Sequence, residues 1–301
     1  MGIVQKPTIH SYFSREHILS TPIFSRLMRR DRYKQLRKMI HFSDPENEDP
    51  NDSLRKLRSF IDSLLSKFRQ NYTPAEHLAI DEYLSLWKGR LSFKIYIPSK
   101  RERSGVKIFM LCESQSGYLL NFIIYTGATT DYANPPDNLP LPFEQYKSPS
   151  KVVLSLLHGF LNKGYCVTLD NYYTSPELAE ALFENDTDCY GTLRKKEKLP
   201  YDFWNWKPEK GSAPKAKYNG DIGVMRWNDV TKTKKVKFVS MLSTIHTFAL
   251  ADSNKKNRTT GETIQKPDVI LDYNKTMGGV DLISRVLIPY SSQRRGVKWY
   301  R

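Results

Sequence analysis

Cysteine is scarce, with three residues in 301, at positions 112, 166 and 189. They are odd in number and far apart, which excludes a disulfide framework and a CxxC zinc site and fits a reducing compartment. Long hydrophobic runs are also missing. No stretch approaches the run of about 18 apolar residues that a bilayer span requires. The N-terminal MGIVQKPTIHSYFSR lacks the apolar centre of a secretory signal. Gly2 is followed by Gln5-Lys6 rather than a small hydroxyl residue, which argues against lipidation. The six histidines, at 10, 17, 41, 77, 158 and 246, form neither HExxH nor HxE…PCxxC. Zinc hydrolases and deaminases are thereby set aside. No phosphate-binding GxxxxGK loop followed by Ser or Thr occurs, so ATP-driven chemistry is not expected. Neither a membrane partner nor a small-molecule cofactor is expected.

What is present is a globular composition, 39% hydrophobic and 12% aromatic, enough to bury a sizeable core. Lys and Arg number 47 against 32 Asp and Glu, a net charge of +15. A field of that sign draws polyanions, most often nucleic acid. The excess is uneven, because residues 190–265 alone hold 16 Lys and Arg against 7 Asp and Glu.

The pattern of apolar residues divides the chain. Residues 20–72 read as helical, with Phe24, Leu27, Met28, Leu36, Met39 and Ile40 along one stretch. The acidic, proline-bracketed Asp44-Pro-Glu-Asn-Glu-Asp-Pro50 then interrupts. From Asp52-Ser53 a second helix is predicted, burying Leu54, Leu57, Ile61, Leu64, Leu65 and Phe68 at the 3.6 period. After residue 77 the period changes. Strands are predicted at 77–83, 106–112 and 118–125, the last two forming a hairpin about Glu113-Ser-Gln-Ser-Gly117. A proline-rich loop leads to a helix near 152–161, a strand at 165–169, a helix capped by Thr174 or Ser175, and a strand at 189–193. Three antiparallel strands followed by helix, strand, helix, strand is the order of a ribonuclease-H-like core.

The expected fold is therefore α/β, a mixed sheet flanked by helices, in four parts. Residues 1–76 form a helical region of a type used for DNA binding or dimerisation, so a homodimer is admitted. Residues 77–193 form the first part of the core. Residues 194–265 form an inserted basic, β-rich subdomain whose Trp204, Trp206 and Trp227 suit local packing better than base stacking. Residues 266–301 complete what is present of the core. No cap or breaker closes the helical pattern near Trp299-Tyr300, so the core is expected to be incomplete at its C-terminal side.

Carboxylates set into apolar strands are the places to seek chemistry, because an unpaired charge there is costly. Asp81 lies within Leu-Ala-Ile-Asp-Glu-Tyr-Leu on the first strand. Asp170 ends the apolar Tyr-Cys-Val-Thr-Leu run, at a strand C-terminus where open α/β sheets place ligands. Asp281 opens a helix after Gly278-Gly279, with Asp272 and Glu113 as rivals for a third carboxylate. Two or three aspartates on rigid elements suit two hard cations about 4 Å apart, the arrangement that phosphodiester chemistry uses.

Long motifs carry a resemblance. Asp81-Glu-Tyr-Leu-Ser-Leu-Trp-Lys-Gly-Arg-Leu-Ser-Phe-Lys-Ile-Tyr-Ile-Pro-Ser-Lys100 with Gly105-Val-Lys-Ile, Leu169-Asp-Asn-Tyr-Tyr-Thr-Ser175 and Tyr273-Asn-Lys-Thr-Met-Gly-Gly-Val-Asp281 resemble the piggyBac transposase family. So do Arg30-Asp-Arg-Tyr-Lys-Gln-Leu-Arg, His41-Phe, Arg226-Trp-Asn-Asp and Ser243-Thr-Ile-His246, in order over roughly 24–301. The resemblance implies a DDE-type DNA transposase with a ribonuclease-H-like core. Its three metal-binding aspartates would be Asp81, Asp170 and Asp281, holding two Mg²⁺ or Mn²⁺ ions. It would work on double-stranded DNA in the nucleus, with strand cleavage, hairpin ends and joining at TTAA. Three departures stand out. Ser284 occupies a position where the family often has a further Asp, the C-terminal cysteine-rich zinc module is absent, and the N-terminal segment is short. They keep a second class open, a transposase-derived DNA-binding protein with a relic site.

Lys88, Arg90, Lys94, Lys100, Arg101, Arg103 and Lys107 interleave with Trp87, Phe93 and Tyr96 just beyond Asp81. Such a basic stretch suits phosphate contact near the metals. Arg194-Lys-Lys-Glu-Lys198 suits DNA or nuclear import.

Overall fold

A computed structural model describes residues 3–98, 103–132, 136, 138–195, 199, 202–209, 211–229, 237–256 and 261–287. Three helices come first: α1 (Pro22–Leu27), α2 (Arg30–Met39) and α3 (Arg58–Asn71). The run expected as one helix over 22–42 is two, because Met28 and Arg29 are both extended. Neither α1 nor α2 buries a residue, so Leu27 and Met39 of their apolar stripes stay exposed. The helix expected from Asp52 begins six residues later. The Asp52 carboxylate accepts the Leu54 N–H at 2.8 Å and the Arg58 guanidinium at 2.8 and 2.9 Å, and so closes a non-helical turn ahead of α3.

The core strands are β1 (His77–Leu86), β2 (Ile95–Tyr96), β3 (Ser104–Glu113), β4 (Leu119–Ile124), β5 (Cys166–Leu169) and β6 (Asp188–Thr192). α4 (Ser148–Leu156) precedes β5 and α5 (Pro176–Phe183) precedes β6. β1 pairs antiparallel with β3, and β3 with both β2 and β4. On its other side β1 pairs parallel with β5, and β5 parallel with β6. This is the mixed sheet expected of a ribonuclease-H-like order. α5 starts where the sequence signals it, with Ser175 Oγ accepting the Leu178 N–H at 3.2 Å and Pro176 in the first turn.

Three further strands, β7 (Lys215–Asn219), β8 (Ile222–Asn228) and β9 (Phe238–Ser243), continue the same sheet. β9 joins β6, β8 joins β9 and β7 joins β8, all antiparallel, in a sheet of nine strands. Trp227 of β8 is fully buried, and its Nε1 donates to the Ser212 carbonyl. β10 (Leu250–Lys256) and β11 (Thr263–Pro267) form a separate ribbon that leads into α6 (Asp268–Thr276) and α7 (Gly279–Leu287).

Both faces of the central strands are covered, which explains their near-continuous apolar sequence. Leu78 and Ile80 of β1 and Val167 and Leu169 of β5 pack with Val153 and Leu156 of α4 and with Leu178 and Leu182 of α5. The alternate residues look the other way. Cys166 packs with Val269 and Ile270 of α6, and Met110 and Cys112 of β3 with Val280 of α7.

Gly191 on β6 permits the closest approach in this sandwich. A methyl group there would stand 2.3 Å from the Leu169 carbonyl oxygen and 2.3 Å from Thr174 Oγ1. Gly191→Ala should therefore destabilise the chain by about 1–3 kcal/mol, read as a lowered midpoint in thermal unfolding. An unchanged midpoint would show that the β5–β6 packing has slack.

Candidate active site at the ends of β1 and β5

The parallel pairing of β1 and β5 places the first two aspartates. Ile80 stands opposite Leu169, so Asp81 and Asp170 are the next residues on adjacent strands. Strands so paired are about 4.8 Å apart. Strand alternation points Asp81 to the face of Ala79 and Tyr83, and Asp170 to that of Cys166 and Thr168, the side covered by α6 and α7. Both side chains are half-buried. Asp81 Oδ1 accepts its neighbour Glu82 N–H at 2.7 Å, and Asp170 Oδ1 the Asn171 N–H at 2.5 Å. The Asp170 carbonyl accepts from Tyr173 N, Thr174 N and Thr174 Oγ1, which turns the chain sharply from β5 toward α5.

α6 faces this pair. Thr168 Oγ1 donates to Thr276 Oγ1 at 2.7 Å, Tyr190 OH lies 2.8 Å from the same oxygen, and Thr276 in turn donates to the Asp272 carbonyl. Tyr273 is thereby held beside the carboxylates. Burial first, and then the Asp170 carboxylate, push its phenol up to about 12, while a hydrogen bond with Thr192 works against them and Asp81 adds to the rise. Tyr173, buried and without a partner for its hydroxyl, is raised by burial and then by Glu82 and Asp81.

Asp281 sits in the first turn of α7, two residues past the point where Gly279 touches Ala79 of β1. It lies on the helix that covers the Asp81 face, and it is exposed. Among the described residues, no three His, Cys, Asp or Glu side chains are gathered as ligands for one metal ion. Asp81 and Asp170 are brought together, and Asp281 is not closed onto them. The two rivals have other employment. Glu113 is buried and accepts from Tyr72 OH, Ala75 N and Ser116 N at 3.0, 3.3 and 3.0 Å. Asp272 meets Lys275 Nζ at 2.9 Å and His246 Nε2 at 3.3 Å, while His246 Nδ1 lies 2.7 Å from Ser243 Oγ. Burial would raise the Asp272 pKa, yet hydrogen bonds from Lys275 and His246 outweigh it and hold it low.

With this geometry in view, the likeness to known proteins is specific. A family model described as Transposase IS4 matches residues 1–301. The chain is 28% identical over 308 residues to the human PiggyBac transposable element-derived protein 3, covering 99% of this chain and 49% of that protein. It is 25% identical over 295 residues to human PiggyBac transposable element-derived protein 2, covering 95% and 47%. The cryo-EM structure of a piggyBac transposase synaptic complex with hairpin DNA superposes with a TM-score of 0.76 at 26% identity, over 97% of this chain and 57% of that one. The chain belongs to the piggyBac transposase family. It spans about half the length of the curated relatives that it matches.

In this piggyBac-type chain the basic stretch after β1 is divided. Lys88, Arg90, Lys94 and Arg103 are exposed, and Lys94 Nζ donates to the Gly89 carbonyl. Lys100 and Arg101 lie outside the described residues. Lys107 belongs elsewhere, on β3, with its Nζ 4.5 Å from the Phe109 ring centre and 5.0 Å from that of Tyr172. Arg194 approaches the same Tyr172 ring at 5.2 Å and donates from Nε to Asn171 Oδ1 at 2.9 Å. Asn171, Tyr172 and Tyr273 are thus site neighbours that residue-by-residue reading of charge missed. Their signal was their place in the two motifs ending at Ser175 and Asp281. Among the described residues, no helix is long and apolar enough to cross a membrane.

Two like charges side by side cost stability. Asp170→Asn should raise the thermal midpoint of the metal-free chain by a few degrees, about 1 kcal/mol. Asp272→Asn, which weakens the contacts to Lys275 and His246, should lower it. A fall with Asp170→Asn would mean that the pair is held by compensating contacts rather than left in repulsion.

Proposed function

We propose that this chain is a DDE-type DNA transposase core in which Asp81 and Asp170, with Asp281 from α7, hold divalent cations for strand cleavage and transfer. The observation that carries the proposal is the Ile80–Leu169 register, which sets two half-buried carboxylates side by side at parallel strand ends. The donor set is all carboxylate oxygen on rigid elements, the chemistry that Mg²⁺ or Mn²⁺ requires. When bound, such ions neutralise charge on the phosphate and activate the attacking oxygen. The chain's own part is to hold Asp81 and Asp170 at fixed spacing through the strand pairing. Tyr273 borders the pair, kept in place by Thr192, and it stays protonated at neutral pH.

Double-stranded DNA is the proposed partner. Exposed Lys88, Arg90, Lys94 and Arg103 would contact phosphates, as would exposed Arg32, Lys34 and Lys38 of α2, with half-buried Arg30 and Arg37 beside them. The likeness to the piggyBac transposase solved as a synaptic complex with hairpin DNA supports this partner. Joining at TTAA, a homodimer and a nuclear location belong to the same proposal. One observation favours a second reading, DNA binding without cleavage. Asp281 is exposed and apart from the pair, and Ser284, where the family often has Asp, spends its hydroxyl on the Val280 carbonyl at 2.8 Å.

A nicking assay on supercoiled DNA with Mg²⁺ or Mn²⁺ decides between them. Asp170→Asn should abolish metal-dependent nicking and leave DNA binding equal or slightly stronger. Nicking that survives in Asp170→Asn overturns the catalytic assignment, and a parent chain that binds DNA without nicking establishes the second reading. DNA affinity should fall steeply with salt, and Arg90→Ala should weaken binding to all sequences alike. A flat salt dependence would remove the phosphate track.

A further inference from the structure

The seat of α7 is built from residues outside the carboxylate site. Glu113 ends β3 and caps the tight turn to β4. Its buried carboxylate accepts from Ser116 N and Ser116 Oγ within the turn, and from Tyr72 OH and Ala75 N across from the end of α3. Burial would raise its pKa, but these hydrogen bonds, led by Ser116, outweigh it and hold it below the usual carboxylate range. Tyr72 and Tyr118 stack at 4.2 Å, and Tyr118 OH donates to the Phe68 carbonyl, so α3 grips both ends of the turn.

The turn then meets α7 at close range, largely backbone against backbone. Gly117, at φ +70°, leaves little room for a side chain. A methyl there would lie 3.0 Å from the Gly279 carbonyl oxygen, 3.1 Å from Leu282 Cγ and 3.2 Å from Ile283 N. Gly279 is equally tight, since its own methyl would lie 2.9 Å from the Glu113 carbonyl oxygen and 3.4 Å from Ala79 Cβ. Two glycines and one alanine thus let the first turn of α7 rest on backbone.

We infer that Glu113 and Gly117 are positioning residues: the Glu113-capped turn seats the first turn of α7 against β1 and thereby sets where Asp281 stands relative to Asp81. The seat stands on contacts alone, and its bearing on metal binding rests on the function proposed above. Because Tyr72 shares the Glu113 carboxylate, the end of α3 is tied to the same seat.

Gly117→Ala tests this against Gly164→Ala. Gly164 has the same φ of +70° but open space around it, so both variants place a side chain at the same left-handed φ and only the first presses on α7. Hydrogen exchange of the metal-free, full chain is read at residues 279–287 and, as reference, across α5. Gly117→Ala should speed α7 exchange by about tenfold with α5 unchanged, and Gly164→Ala should not. Glu113→Gln, which keeps an acceptor oxygen, should give a smaller rise than Glu113→Ala. A Mn²⁺ titration followed by electron paramagnetic resonance should show weaker binding in Gly117→Ala and parental binding in Gly164→Ala.

Equal α7 exchange in the two glycine variants, or a rise shared by α5, overturns the seat. Faster α7 exchange with parental Mn²⁺ affinity overturns the link to Asp281. A parent chain that binds no Mn²⁺ sinks the metal reading instead, and exchange still judges the seat.

Discussion

The parallel pairing of β1 with β5 is the constraint on which the rest depends. Its four registered pairs, from His77–Cys166 to Ile80–Leu169, lock two distant chain segments at a spacing the backbone dictates. Every later feature refers to that spacing. The sharp turn at Asp170 needs Thr174 folded back over Gly191, which fixes β6 beside β5. α6 docks where Thr168 and Tyr190, buried on that face of the sheet, offer hydroxyls to Thr276, and where Val269 and Ile270 pack with Cys166.

The two faces of the sheet use different physics. The α4–α5 face is largely apolar, with Leu154, Leu156, Leu178 and Leu182 shut away from water and Asn121 donating to the Leu156 carbonyl as a buried polar tie. It supplies burial free energy and little orientation. The α6–α7 face adds, to its apolar contacts at Val269, Ile270 and Val280, a short polar chain and close backbone contact at Gly117 and Gly279. Hydrogen bonds and glycine contacts are directional and intolerant of displacement, so the helices on this side are placed more narrowly than burial alone would place them. That is the side to which Asp81 and Asp170 point.

The core was legible in the sequence because its signals are local. Short apolar runs, a Thr174 or Ser175 cap and a Glu113–Gly117 turn each declare an element within a few residues, and the strands, the Ser175 cap and the turn stand where expected. The N-terminal helices were less legible. Periodicity over 22–42 does not reveal the extended pair Met28–Arg29, and Asp52 looked like a helix start when its carboxylate was committed to Leu54 and Arg58. At the site, Asp81 and Asp170 could be reached from strand context. Their adjacency could not, since it depends on register across more than eighty residues. That Glu113 and Asp272 are engaged elsewhere was equally invisible, because their partners, Tyr72 and His246, are remote in sequence. Lys107 was grouped with its loop neighbours by proximity along the chain, whereas β3 turns it onto Phe109 and Tyr172.

The way β7, β8 and β9 join the sheet has an evolutionary corollary. Each added strand hydrogen-bonds only to its neighbours in a series that grows outward from β6, away from β1 and β3, while Val224 and Leu242 tie it to the main core. Segments joining those strands can lengthen, shorten or exchange charge, and the register of Ile80 with Leu169 is not consulted. Members of one family can therefore drift in the segments of this outer region, acquiring new surfaces or losing old ones, while keeping the same inner geometry.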